Sequence, residues 1–277
     1  MNAEDLFDQI RKKQSFLCVG LDADEDKIPS HLFKYDDPVF EFNKAIIDAT
    51  HDLVVAYKPN LAFYEAMGTK GIISLEKTNA YIQENFPEII MIADAKRGDI
   101  GNTARMYARS VFEQFGFDAV TLSPYMGKDS IDPFFEYKDK WVVLLGVTSN
   151  SGAEDFQLAN TDTGRPFFME VIDKGSKWAD ENQLMFVAGA TRPEMLKEIR
   201  QVIPNHFLLV PGVGAQGGNL EDVAANGINS QCGLLVNSSR AIIYAGNNEH
   251  FAQEARISAH DLQDKMKAIL LEHNLLD

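Results

Sequence analysis

Residues 89–99 read Ile89-Ile90-Met91-Ile92-Ala93-Asp94-Ala95-Lys96-Arg97-Gly98-Asp99. Five apolar residues pass without a spacer into two carboxylates, a lysine and an arginine. An apolar run of this length predicts a strand covered on both faces. Side chains alternate along a strand, so Asp94 and Lys96 are expected on one face at its C-terminal end. Asp99 follows on the turn. Acids packed against a cation perturb one another's protonation, a pattern that concentrates at reacting centres. A surface salt-bridge network at a strand end has the same local look, so the rest of the chain must decide between them.

Short apolar runs alternate with helical patterns throughout. Strands are expected at Phe16–Leu21, Leu53–Tyr57, Ile89–Ala93 and Ala119–Leu122. Four more are expected at Trp141–Val147, Leu184–Ala188, Phe207–Val210 and Gly233–Val236. Helical patterns cover Val39–Thr50, Ser74–Asn85, Thr103–Phe115 and Ser130–Tyr137. They resume at Pro166–Glu181, Pro193–Val202, Asn219–Asn226 and Glu249–His273. Thr191 and Glu194 have capping-box spacing, with Pro193 in the first turn. Eight strands alternating with eight helices predict an α/β fold of the (β/α)8 TIM barrel type, with an open doubly wound sheet as the rival. No Pro-, Gly- or Ser-rich linker divides the chain. Residues 1–277 are therefore expected to form one barrel domain with a short N-terminal helical extension.

The 277 residues are 45% hydrophobic, enough for one large core, and carry a net charge of −15. That balance, with a pI near 4.8, argues against a nucleic-acid partner, which needs net positive surface. It allows an anionic small substrate where cations are concentrated locally. Cys18 and Cys232 lie in apolar runs and read as buried thiols, not a disulfide. Met1 to Lys13 is polar without an apolar signal core, and no stretch reaches membrane-spanning length. A cytoplasmic location is expected.

In a barrel the chemistry sits at the C-terminal strand ends. Those positions hold Asp22; Lys58 and Asn60; Asp94 and Lys96; Ser123-Pro124-Tyr125; Thr148-Ser149-Asn150; Gly189-Ala190-Thr191; Pro211 to Gly214; and Asn237 to Arg240. Glycines in Pro211-Gly212-Val213-Gly214-Ala215-Gln216-Gly217-Gly218 let backbone N–H groups approach an anion. Arg240 follows the last strand, and loops after strands 7 and 8 commonly bind phosphate. Glycine turns beside a surface arginine are the plainer alternative. Gly212, Gly214 and Gly217 also fit G-x-G-x-x-G, but late in the chain and with no acid near Gly233–Val236 to hold a ribose, so a dinucleotide cofactor is not expected.

Asp22, Asp94 and Asp99 suggest a metal site, against which Lys58 and Lys96 fill the space an ion would need. The six histidines show no ligand pairing. A Schiff-base lysine needs a depressed pKa, whereas flanking carboxylates hold Lys96 protonated. Ser149 to Arg165 is long for a βα connection and reads as a lid or as a disordered excursion.

Together these residues resemble the orotidine 5′-phosphate decarboxylases, most closely the longer bacterial subgroup. The pattern D-A-K-R-G-D-I-G-N-T-A stands unbroken at Asp94–Ala104. Gly20-Leu21-Asp22, Lys58-Pro59-Asn60, the Gly212 loop and Ser239-Arg240 support it. The resemblance implies a cofactor-free, metal-free, dimeric barrel that converts orotidine 5′-phosphate to UMP and CO2. It implies a catalytic tetrad of Lys58, Asp94, Lys96 and Asp99, with Asp99 entering the partner subunit's site beside Thr103. Lys96 would be the proton donor. Asp22 would contact the ribose hydroxyls, Asn60 would join the substrate-binding set and Ser149 would meet the pyrimidine. Gln216, Arg240 and the Gly214 backbone would hold the phosphate. The alternatives are a Mg2+-dependent sugar-phosphate decarboxylase of similar D-x-K-x-x-D spacing, or a phosphate-binding barrel without catalysis.

Overall fold

The apolar runs pair side by side in chain order and close into a ring, β1 to β8, all parallel. The computed structural model describes residues 1–213 and 217–276. The strands are β1 (Leu17–Gly20), β2 (Ala56–Lys58), β3 (Ile90–Arg97) and β4 (Ala119–Leu122). The ring continues through β5 (Trp141–Val147), β6 (Leu184–Ala188), β7 (Leu208–Pro211) and β8 (Leu234–Ser238). Closure brings Cys18 of β1 opposite Asn237 of β8. This is the (β/α)8 barrel that the alternation predicts, not the open sheet. The strands are buried almost throughout because helices cover their outer faces.

The helices are α1 (Ala3–Lys13), α2 (Pro38–Thr50), α3 (Leu61–Ala66), α4 (Thr69–Asn85), α5 (Gly101–Arg109) and α6 (Asp132–Phe135). They continue with α7 (Ala153–Phe156), α8 (Phe167–Gly175), α9 (Pro193–Val202), α10 (Leu220–Gly227), α11 (Arg240–Ile243) and α12 (Phe251–Glu272). Helix α2 shows how the local code works. Asp37 caps it by accepting from the Phe40 N–H at 3.0 Å, and Pro38 opens the first turn. Val39, Phe42, Ile46 and Ile47 form its buried stripe at helical spacing. Phe42 stacks on Phe251 of α12 at 5.2 Å and on Tyr244 at 5.8 Å. Such pairs add about 0.5–1.5 kcal/mol beyond their area. The same Tyr244 reaches the site described below, so this outer packing helps hold the rim.

The N-terminal segment closes the opposite end of the barrel. Asn2 and Asp5 form a capping box on α1, and Leu6 and Ile10 are fully buried. The Trp141 indole N–H at the start of β5 donates to the Met1 carbonyl at 2.9 Å. Lys13 donates to the His51 carbonyl at 2.8 Å, and burial pushes its pKa down to about 8. Cys18 and Cys232 are free and buried. Among the described residues no helix is long and apolar enough to cross a membrane.

Several boundaries differ from the sequence reading. Strand β3 runs on to Arg97, so the charged residues belong to the strand itself. The Thr191–Glu194 capping box does not form. Pro193 takes the first helical position, which moves the cap to Arg192, and no side chain bonds there. Helix α8 stops at Gly175, where a Cβ would come within 3.2 Å of Leu144 and 3.3 Å of Phe186. Helix α5 starts at Gly101 and widens into a π turn over Ser110–Gln114. The Ser149–Arg165 excursion contains α7. Gln157 ties back to its root, accepting from the Thr148 N–H at 2.8 Å, and Arg192 pairs with Glu154 at 2.9 Å.

Candidate active site

A cavity of about 720 Å³ opens at the C-terminal ends of the strands. Asp22, Lys58, Asn60, Asp94, Lys96, Ser149 and Arg240 all line it. Seven positions spread over more than two hundred residues of sequence thus converge on one mouth. Asp99 and Thr103 do not line the cavity of their own chain. Gly214 and Gln216 lie outside the described residues.

Asp94 organises the floor. Its Oδ2 accepts from Lys58 Nζ at 2.8 Å and its Oδ1 from Lys96 Nζ at 2.5 Å. Thr121 of β4 donates to Oδ1 as well, at 3.0 Å. Asp94 and Lys58 are buried, whereas the Lys96 side chain is 47% exposed toward the opening. Burial alone would push the Asp94 carboxyl up, and it is the largest single influence. The combined charges and hydrogen bonds of the two lysines outweigh it and hold the carboxyl well below the usual range. Lys58 mirrors this: burial opposes its charge, but Asp94 and Asp22 raise its pKa.

Asp22 forms the second acidic corner. Its Oδ2 accepts from Ser239 Oγ at 2.6 Å and its Oδ1 from the Asn60 N–H at 3.2 Å. The Tyr244 hydroxyl donates to the Asp22 carbonyl at 2.9 Å, and Tyr64 donates to the Leu21 carbonyl at 2.7 Å. Gly20 is needed for this approach, since a Cβ there would sit 2.6 Å from Ser239. Asn60 also caps α3 by accepting from the Ala62 N–H.

Arg240 begins α11 directly after β8 and shares the cavity with Gly212 and Val213. Lys27 and Tyr244 line it too, and sequence reasoning missed both. Tyr244 stands one helical turn beyond Arg240, a spacing that could have flagged it. Lys27 sits in an irregular polar loop with no periodic signal. The three acids considered as metal ligands do not converge: among the described residues no group of three His, Cys, Asp or Glu is placed to hold an ion. Both Asp94 oxygens are instead occupied by lysines.

The fold and rim define a (β/α)8-barrel enzyme with a lysine–carboxylate cluster beneath a polar, cation-bearing mouth. Residues 15–255 match the family described as Orotidine 5′-phosphate decarboxylase / HUMPS, and the chain belongs to that family. It is 58% identical over 276 residues to an orotidine 5′-phosphate decarboxylase of Parabacteroides distasonis, covering 100% of this chain and 99% of that one. A Bacteroides fragilis orotidine 5′-phosphate decarboxylase is 57% identical over 274 residues, 98% of this chain and 100% of the other. Among solved structures, Leishmania donovani OMP decarboxylase superposes with a TM-score of 0.83 at 34% identity, over 97% of this chain and 98% of that one.

Proposed function

We propose that this chain is a carboxy-lyase that decarboxylates orotidine 5′-phosphate to UMP and CO2 in pyrimidine biosynthesis, in the cytoplasm. Full-length similarity to named decarboxylases supports the activity. The observation that carries the mechanism is the Lys58–Asp94–Lys96 cluster on the cavity floor.

Loss of CO2 from C6 of a pyrimidine leaves an electron pair with no conjugated sink, so fixed charge must stabilise it. In this reading the C6–carboxylate bond breaks beside Asp94, and the pair stays on C6. The Lys96 ammonium, bonded to Asp94 Oδ1, stabilises that pair and then transfers its proton to C6. Lys58 keeps Asp94 ionised and oriented. Asp22 binds the ribose hydroxyls with Asn60 beside it, and Ser149 meets the pyrimidine. Arg240 takes the phosphate together with Gln216 and the Gly214 backbone. Binding energy from that remote group favours closure around the reacting centre.

The proposal includes a homodimer with shared sites, in which Asp99 and Thr103 serve the partner's cavity. Ile100, Met106, Tyr125 and Met126 support it. These large apolar side chains are exposed, Ile100 just before α5, Met106 within it, and Tyr125 and Met126 in the turn that follows β4.

The decisive assay follows loss of the pyrimidine carboxylate's ultraviolet signature from orotidine 5′-phosphate, with and without EDTA. Turnover that survives EDTA is expected. No turnover sinks the reading, and EDTA-sensitive turnover points to the metal-dependent sugar-phosphate branch.

A further inference from the structure

The contact between Asp94 and Lys96 is not produced by simple strand alternation. Ala93 pairs with Val120 of β4, and Arg97 pairs with Leu122. Four steps along β3 therefore face two along β4, so Asp94-Ala95-Lys96 bulges from the ladder. Within the bulge Lys96 adopts φ +49°, a left-handed conformation that is costly for a residue with a Cβ. Something must hold it there.

Thr121 lies directly opposite, 1% exposed. Its Oγ1 accepts from the Ala95 N–H and from the Lys96 N–H, each at 3.0 Å. The same hydroxyl donates to Asp94 Oδ1 at 3.0 Å. A hydroxyl has two acceptor lone pairs and one proton, and all three are used. It replaces the ladder partners that the bulge removes, and its proton sets the orientation of the carboxylate.

We propose that Thr121 is a positioning residue for decarboxylation, its hydroxyl locking the bulge so that Lys96 Nζ stays on Asp94 Oδ1 while Lys58 holds Oδ2. This rests on the reading of Asp94 and Lys96 as the reacting pair. Thr121 itself does not line the cavity. Its loss should therefore lower kcat while leaving ligand binding in place.

The test compares Thr121→Val, which keeps shape and removes the hydroxyl, with Thr121→Ser, which keeps the hydroxyl and removes the methyl. Lys96→Ala is the control arm. Misplacing a catalytic group by an ångström costs about 10²-fold in rate, and a loss of that order in kcat is expected for Thr121→Val. KM and UMP affinity should stay within about threefold, and Thr121→Ser should recover kcat to within about threefold of wild type. The proposal is overturned if Thr121→Val keeps its kcat, if kcat and KM deteriorate together, or if Thr121→Ser is as impaired as Thr121→Val. Should Thr121→Val fail to fold, Thr121→Cys substitutes a weakly hydrogen-bonding thiol. It should fall well below Thr121→Ser in kcat, and equal rates for the two would overturn the proposal. A fully active Lys96→Ala would instead remove the underlying site assignment, whereas an inactive Lys96→Ala beside an unimpaired Thr121→Val would remove only the role of Thr121.

Discussion

Lys58 Nζ donates to Asp94 Oδ2 at 2.8 Å across the β2–β3 boundary, with both side chains buried. Each raises the cost of neutralising the other, so the carboxyl is held down and the ammonium is held up. Neither should titrate between the ordinary carboxylate value of about 3.9 and the ordinary lysine value of about 10.4. The 13C signal of the Asp94 carboxylate should therefore stay in its ionised position from about pH 4 to 8. A midpoint inside that interval would contradict the coupling. For stability the sign follows from the lowered pKa. The contribution of Asp94 is complete above its unfolded value of about 3.9 and is lost as pH falls.

Lys96→Ala should abolish turnover with the fold intact. UMP should still bind, because the contacts proposed for its phosphate and ribose involve other residues. Steady-state rates with titration of UMP check this, and a near-wild-type kcat would falsify the proton-donor assignment.

Arg240→Ala should weaken UMP binding by about 1.5–3 kcal/mol, the range for a charge-assisted hydrogen bond. Binding of uridine, which lacks the phosphate, should barely change. Calorimetry on both ligands separates the effects, and equal losses would move Arg240 away from the phosphate.

Asp99 is expected to work across a two-fold interface, since it follows β3 yet does not line its own cavity. Asp99→Ala and Lys96→Ala subunits should each be inactive alone. After subunit exchange, half the dimers are mixed and each has one intact site, so activity should approach about a quarter of wild type. A mixture that stays dead after confirmed exchange would show that Asp99 serves its own chain.

Burial lowers the pKa of Lys13 from 10.5 to about 8. Between those values the unfolded chain holds more protons at this site, so its contribution to stability rises with pH. Thermal melts of wild type and Lys13→Met at pH 7 and about pH 10 isolate the effect, because other titrations cancel in the difference. Wild type should gain relative to the variant as pH rises, and a constant gap would show that Lys13 is not desolvated.

The sequence by itself determined the barrel and most of the rim. Apolar runs such as Trp141–Val147 and Leu184–Ala188 recur at strand length between helical patterns, and burial on both faces leaves that signature in local composition. Lys58, Asp94, Lys96 and Arg240 were legible because strand ends are where a barrel exposes polar groups. The tertiary structure decided what those residues touch. Ser239 donates to Asp22 from 217 residues away, a contact that exists only because β8 closes on β1. Lys27 enters the cavity from a loop without periodicity, and Tyr244 is tied to it through α2 and α12 packing. Even the Asp94–Lys96 contact, whose residues alternation places on one face, is made within a bulge whose N–H groups are bonded by the Thr121 hydroxyl on the neighbouring strand. Periodicity is a local property and survives in the chain. Register, closure and hydrogen-bond partners depend on residues far apart in sequence, and only the assembled barrel fixes them.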